Sequence, residues 1–139
     1  MINSFRAENY FLSNFYEKPL TYDGITYQNS EAAFQAQKTT DIDVRRQFAD
    51  LDPYNAKKMG RKLSLRPDWE QVKVQVMYEV VSAKFSQNPD LKEMLIATGD
   101  QELIEGNDWG DRIWGQVDGN GQNLLGKILM RVRDELKGE

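Results

Sequence analysis

Apolar residues recur at helical spacing in two long stretches. Trp69, Val72, Val76, Met77, Val80, Val81 and Phe85 form one stripe, which predicts a long helix over about 67–86 with that face in the core. Leu125, Ile128, Leu129, Val132 and Leu136 form another and predict a closing helix over about 123–136. Shorter helices are marked by their ends. Asp52-Pro53 reads as an N-cap with proline at the first helical position and Gly60 as the stop. Asn88-Pro89 repeats the signal ahead of Leu91, Met94, Leu95 and Gly99, and Asp41 to Ala49 carries Val44 and Phe48 one turn apart. Upstream, Asp23-Gly24 separates two β-prone runs, Pro19 to Tyr22 and Ile25 to Tyr27, as a type I′ hairpin turn prefers. Ser30 then reads as the N-cap of a helix over about 30–39. Residues 5–18 are aromatic around the polar Ser13-Asn14 and read as a partly extended segment packing on the core. Residues 101–122 lose the helical period and hold Gly106, Gly110, Gly115, Gly119 and Gly121, which predicts a long loop with short strands near 102–105 and 112–117. The pattern adds up to an α+β fold, predominantly helical, with one small β-hairpin, in a single domain spanning 1–139.

Composition removes several chemistries. The chain has no Cys and no His. Disulfides, thiolate nucleophiles, Ser-His-Asp triads and histidine- or cysteine-ligated metals are therefore excluded. Acid–base work falls to Asp, Glu, Lys or Tyr, and no metal or cofactor is expected. The net charge of -4 and pI near 5.0 argue against strong non-specific attraction to nucleic acid. No apolar run approaches the ~18 residues that span a bilayer, and the first residues do not resemble a signal peptide, so a cytoplasmic location and no membrane contact are expected.

Three places combine reactive groups. Glu31, Gln35 and Lys38 fall at i, i+4 and i+7 on the helix near 30–39 and share one face, either a solvated surface or the wall of a polar pocket. Glu105 to Gly115 sets acids, an amide, Trp109 and Trp114 among glycines. That composition suits stacking on a flat ring and hydrogen bonding to a sugar, and suits equally a turn-rich connector. Ser13-Asn14-Phe15 places a polar pair within an aromatic run. Gly119 to Asn123 opens the last helix, where amides could meet an anion or Asn123 could act as an ordinary N-cap. Lys57, Lys58, Arg61, Lys62 and Arg66 could meet phosphates or form a solvated face.

Taken together these motifs are similar to one family. Leu12-Ser13-Asn14-Phe15, Tyr22 to Tyr27, Ser30-Glu31 leading to Gln35-Ala36-Gln37-Lys38, Ala56 to Arg61, Ala83-Lys84-Phe85, Asp111 to Trp114-Gly115, and Gly121 with Asn123-Leu124-Leu125-Gly126 resemble the NADAR (YbiA-like) family in order and over nearly the whole chain. The resemblance implies a compact, largely helical fold with little sheet. It also implies an N-glycosidase that cleaves a ribose C1–nitrogen bond. The substrates it implies are phosphoribosylamino-pyrimidine intermediates of early riboflavin synthesis, or ADP-ribose attached to guanine in DNA or RNA. By position it assigns Lys38 to a covalent sugar-imine route, Glu31 to proton transfer, and Asp111 to sugar hydroxyls or water. Trp114 with Gly115 would line the pocket, and Asn14, Phe15, Gln35, Glu105 and Asn123 would position substrate. Many relatives place His where this chain has Ala32, which leaves proton transfer to other groups or to water. A non-catalytic module binding ADP-ribose or a nucleotide is the competing reading, and a purely structural domain ranks last.

Overall fold

In the computed structural model, which describes residues 1–139, the chain divides into two units: Asn14–Gln87, and Met1–Ser13 with Asn88–Glu139. The first unit begins with the hairpin. Strands β1 (Glu17–Tyr22) and β2 (Ile25–Asn29) pair antiparallel, with Leu20 opposite Tyr27 and Tyr22 opposite Ile25. Asp23 and Gly24 both take positive φ, 49° and 82°, as a type I′ turn requires. The register slips between Glu17 and Leu20, where Pro19 has no N–H to donate.

Helix α1 spans Ser30–Ala36, and its N-cap is Asn29 rather than Ser30. The Asn29 side chain accepts the Ala32 N–H at 2.7 Å, while the Ser30 hydroxyl turns away and donates to Asn14 Oδ1 at 2.9 Å. The helix also stops early. Gln37 and Lys38 close a tighter turn through bonds to the carbonyls of Phe34 and Gln35, so Lys38 lies just beyond the helix. Helix α2 (Ile42–Arg46) is capped by Asp41 and is shorter than its apolar spacing suggests. Helix α3 (Pro53–Gly60) has the expected Asp52 cap and leading proline, but Gly60 belongs to its last turn instead of stopping it. The long α4 (Trp69–Gln87) buries Trp69, Val76, Met77, Val80, Val81 and Phe85. Phe34 meets Trp69 with ring centroids 5.2 Å apart.

In the second unit, Ala7–Leu12 forms a 3₁₀ helix where an extended segment was expected. Helices α5 (Pro89–Ala97) and α6 (Leu124–Lys137) pack together and bury Leu91, Leu95, Leu129 and Val132. Residues 101–122 contain no strand. Three isolated bridges, Ile2 with Leu103, Gly106 with Gln116 and Val117 with Asn120, hold the region, and side chains take amides that a ladder would use. Helix therefore outweighs sheet, which amounts to one two-stranded hairpin in an α+β fold.

Candidate active site

The row on α1 is not a solvated surface. Every residue from Ser30 to Gln37 is buried, and Glu31 is only 8% exposed. Asn14 fixes the start of the helix. Its carbonyl accepts the Glu31 N–H at 3.1 Å, and its Oδ1 accepts the Ser30 hydroxyl. Its Nδ2 reaches Met77 Sδ at 3.4 Å. These bonds make Asn14 a support for the acid on the next turn. Glu31 accepts from Gln35 Nε2 at 2.9 Å, an i, i+4 bond that orients both groups. The other end of that amide, Gln35 Oε1, is buried with no hydrogen-bond partner and faces Gly60 of α3. A methyl group at Gly60 would overlap the Gln35 amide, so glycine permits this approach of α3 to α1.

Lys38 follows Gln35 by one turn and is partly exposed. Its amine is less basic than an ordinary lysine. Burial is the main cause; Glu31 opposes the shift, and the cations Arg61 and Lys57 add to it. Phe15 is half-buried, with the Lys57 ammonium 5.8 Å from its ring centroid. Ala32 is fully buried, so this position belongs to the core. The structure thus brings together Asn14, Glu31, Gln35 and Lys38, and it adds Gly60, expected only as a helix stop, with Lys57 and Arg61 from the basic set.

A further buried group in this unit stood in the Ala83-Lys84-Phe85 motif without a role. Lys84 on α4 is 1% exposed, with its ammonium 5.0 Å from the Phe85 ring centroid and 5.8 Å from that of Tyr16. Burial lowers its pKa to about 7. The signal was present: Lys84 follows Val80 and Val81 by four and three residues, which puts a lysine on the apolar stripe.

The second unit holds the remaining candidates. Asn107 is their hub. Its Nδ2 donates to the Glu105 carboxylate at 3.1 Å and to the Asp111 carbonyl at 2.9 Å, while its Oδ1 accepts the Asp111 N–H at 3.0 Å. Asp111 Oδ1 accepts the N–H groups of Ile113 at 3.0 Å and Trp114 at 2.9 Å, which shapes the turn that presents Trp114. Gly115 packs against the Glu105 side chain and carbonyl, where any larger residue would collide. Asn123 stands at the N-cap position of α6, but its side chain makes no capping bond. It sits in the left-handed region at φ 51°, buried, with Oδ1 accepting from Glu105 N–H and Nδ2 donating to Leu103 O, both at 2.9 Å. Both ends of its amide are committed to backbone, so its place is that of an anchor. Asn107 lacked any spacing signal, because its role depends on the fold of the loop.

Chemically, the α1 set offers a weakened amine as nucleophile, a buried carboxylate for proton transfer and an amide that orients it. No group of three or more acidic side chains is placed to hold a metal ion, and no helix is long and apolar enough to cross a membrane.

Comparison with known proteins places the chain among relatives. The model of the NADAR domain matches residues 3–137. The N-glycosidase YbiA of Escherichia coli (strain K12) is 41% identical over 128 residues, covering 89% of this chain and 79% of the relative. A riboflavin biosynthesis protein of Vibrio vulnificus (strain YJ016) is 41% identical over 131 residues, covering 91% of this chain but 35% of that longer protein. The NMR structure of the E. coli protein YbiA superposes with a TM-score of 0.85 at 36% identity, over 99% of this chain and 87% of that one. With a family model matched across almost its full length and relatives sharing both sequence and fold, the chain belongs to the NADAR domain family.

Proposed function

We propose that this chain is an N-glycosidase that hydrolyses the bond between a ribose C1 and an amino nitrogen, with Lys38 as nucleophile. The observation that carries the reading is an amine of lowered basicity beside the buried, oriented Glu31–Gln35 pair. The relatives named as N-glycosidases and riboflavin biosynthesis proteins support it, and they favour a phosphoribosylamino-pyrimidine over ADP-ribosylated guanine as substrate.

In the proposed reaction Glu31 delivers a proton to the sugar so that its ring opens, and the Lys38 Nζ lone pair bonds to C1. The C1–N bond to the leaving amine breaks, that amine departs with a proton shed by Lys38 Nζ, and an imine joins C1 to Lys38. Water then adds to the imine carbon and releases the open-chain sugar and the neutral lysine. Ala32 leaves no histidine on this helix, so Glu31 and water carry the protons.

Borohydride trapping tests the reading. The protein is incubated with each substrate, reduced and analysed by peptide mass. A sugar adduct on Lys38, absent from Lys38→Ala, is the expected outcome. Lys38→Ala should abolish turnover while changing stability by less than about 0.5 kcal/mol, because a part-exposed lysine adds little to packing. Full activity in that variant would remove the imine route, and ligand binding without sugar release by the wild type would favour a binding module.

A further inference from the structure

The last turn of α3 and the residues after it carry Lys57, Lys58, Arg61 and Lys62, and no acidic residue falls between Asp52 and Asp68. None of the four enters an ion pair, whereas Arg66 lies 2.6 Å from Asp68, Lys73 2.7 Å from Glu70 and Lys92 2.8 Å from Glu139. In a chain with a net charge of -4, acids were available to neutralise this cluster, and the fold does not bring them to it. Four like charges without an ion-pair partner leave a local positive patch that attracts an anion.

Its position gives it a target. Gly60 is seated against the Gln35 side chain, which orients α3 on α1. Lys57 precedes Gly60 by three residues and Arg61 follows it directly, while Lys38 follows Gln35 by one turn. The Lys57 ammonium is steadied over the Phe15 ring at 5.8 Å. Gln35 Oε1 stays buried and unpartnered at the point where the two helices meet. We propose that Lys57 and Arg61 form an anion subsite beside Lys38, which takes a phosphate group carried by the sugar whose C1 the lysine attacks. Arg61 offers a planar fork for two phosphate oxygens and Lys57 a point charge. Lys58 and Lys62, both exposed, attract the anion from a distance. The inference rests on the glycosidase reading and adds what holds the far end of the sugar.

Three reducing sugars that differ at the 5′ position provide the test: ribose, ribose 5-phosphate and ADP-ribose, in which the 5′ oxygen carries a pyrophosphate. Each open-chain aldehyde condenses with the Lys38 amine to an imine and water, cyanoborohydride reduces the imine to a secondary amine, and the adduct is mapped by mass. Labelling of Lys38 by a phosphorylated sugar is expected to exceed labelling by ribose by about tenfold or more. In the Lys57→Ala/Arg61→Ala double variant that ratio is expected to fall to near one. Preference for ribose 5-phosphate or for ADP-ribose then identifies a monoester or a pyrophosphate. A ratio near one in the wild type, or a ratio unchanged in the double variant, overturns the subsite. If no sugar labels Lys38, the imine reading fails by itself and inorganic phosphate decides the subsite. Amide NMR shifts around residues 57–61 that saturate with phosphate in the wild type and vanish in the double variant support it, and their absence overturns it.

Discussion

Replacing Lys84 with methionine should remove much of this protein's stability dependence on pH. The side chain is fully enclosed, and burial lowers its pKa from the ordinary 10.5 to about 7. Between those values the unfolded chain holds a proton that the folded protein lacks. Stability therefore rises with pH across this window, and it falls as pH drops toward 7. At about 1.4 kcal/mol per pH unit, the whole interval comes to about 5 kcal/mol, a large part of the ~5–15 kcal/mol that holds a small domain together. Methionine keeps the unbranched stem and apolar volume but cannot take up a proton. Urea denaturation at pH 7.5, 8.5 and 9.5 reads the effect directly. The upper limit stays below the ordinary 10.0 at which Tyr22 and Tyr27 ionise in the unfolded chain; burial raises both hydroxyls in the folded protein, so at higher pH they would lower stability and oppose the slope. The wild type should gain about 1 kcal/mol per pH unit. Lys84→Met should retain only the smaller slope that part-buried Lys38 contributes with the same sign, and the Lys38→Ala control isolates that part. Equal slopes in wild type and Lys84→Met would falsify the claim that the buried amine is neutral in the folded protein.

Other expectations are independent of Lys84. Lys57→Ala or Arg61→Ala takes a cation away from Lys38 and raises its pKa, so the rising limb of a pH–rate profile should move to higher pH; a shift the other way would contradict the electrostatics. Gly60→Ala should destabilise by about 1–3 kcal/mol and slow turnover, although alanine favours helix, because its methyl displaces the Gln35 amide. An unchanged melting midpoint would show that Gln35 can move aside. Ala32→His should lower stability by a similar amount and restore no proton-transfer advantage, since the position is enclosed. Normal stability in that variant would mean that the surrounding core yields to an imidazole.

Local pattern accounted for much of the architecture. The long apolar stripes became α4 and α6, Asp52-Pro53 opened α3, and Asp23-Gly24 made the hairpin turn, because each depends on a few neighbouring residues. The family motifs likewise pointed to Glu31, Gln35 and Lys38 from sequence alone. Only the tertiary structure decided what those residues meet. Spacing placed three polar groups in a row; burial of the whole helix, the brace from Asn14 and the cations from α3 turned the row into an amine of lowered basicity and a buried carboxylate bonded to Gln35. Gly60 looked like a helix stop and proved to be a contact point, and Asn123 looked like a cap and proved to be an anchor. The physical reason is common to all of these. Periodicity and caps are set by bonds within a few residues, while desolvation, unpaired charge and close backbone approach come from partners distant in sequence, which no local pattern encodes.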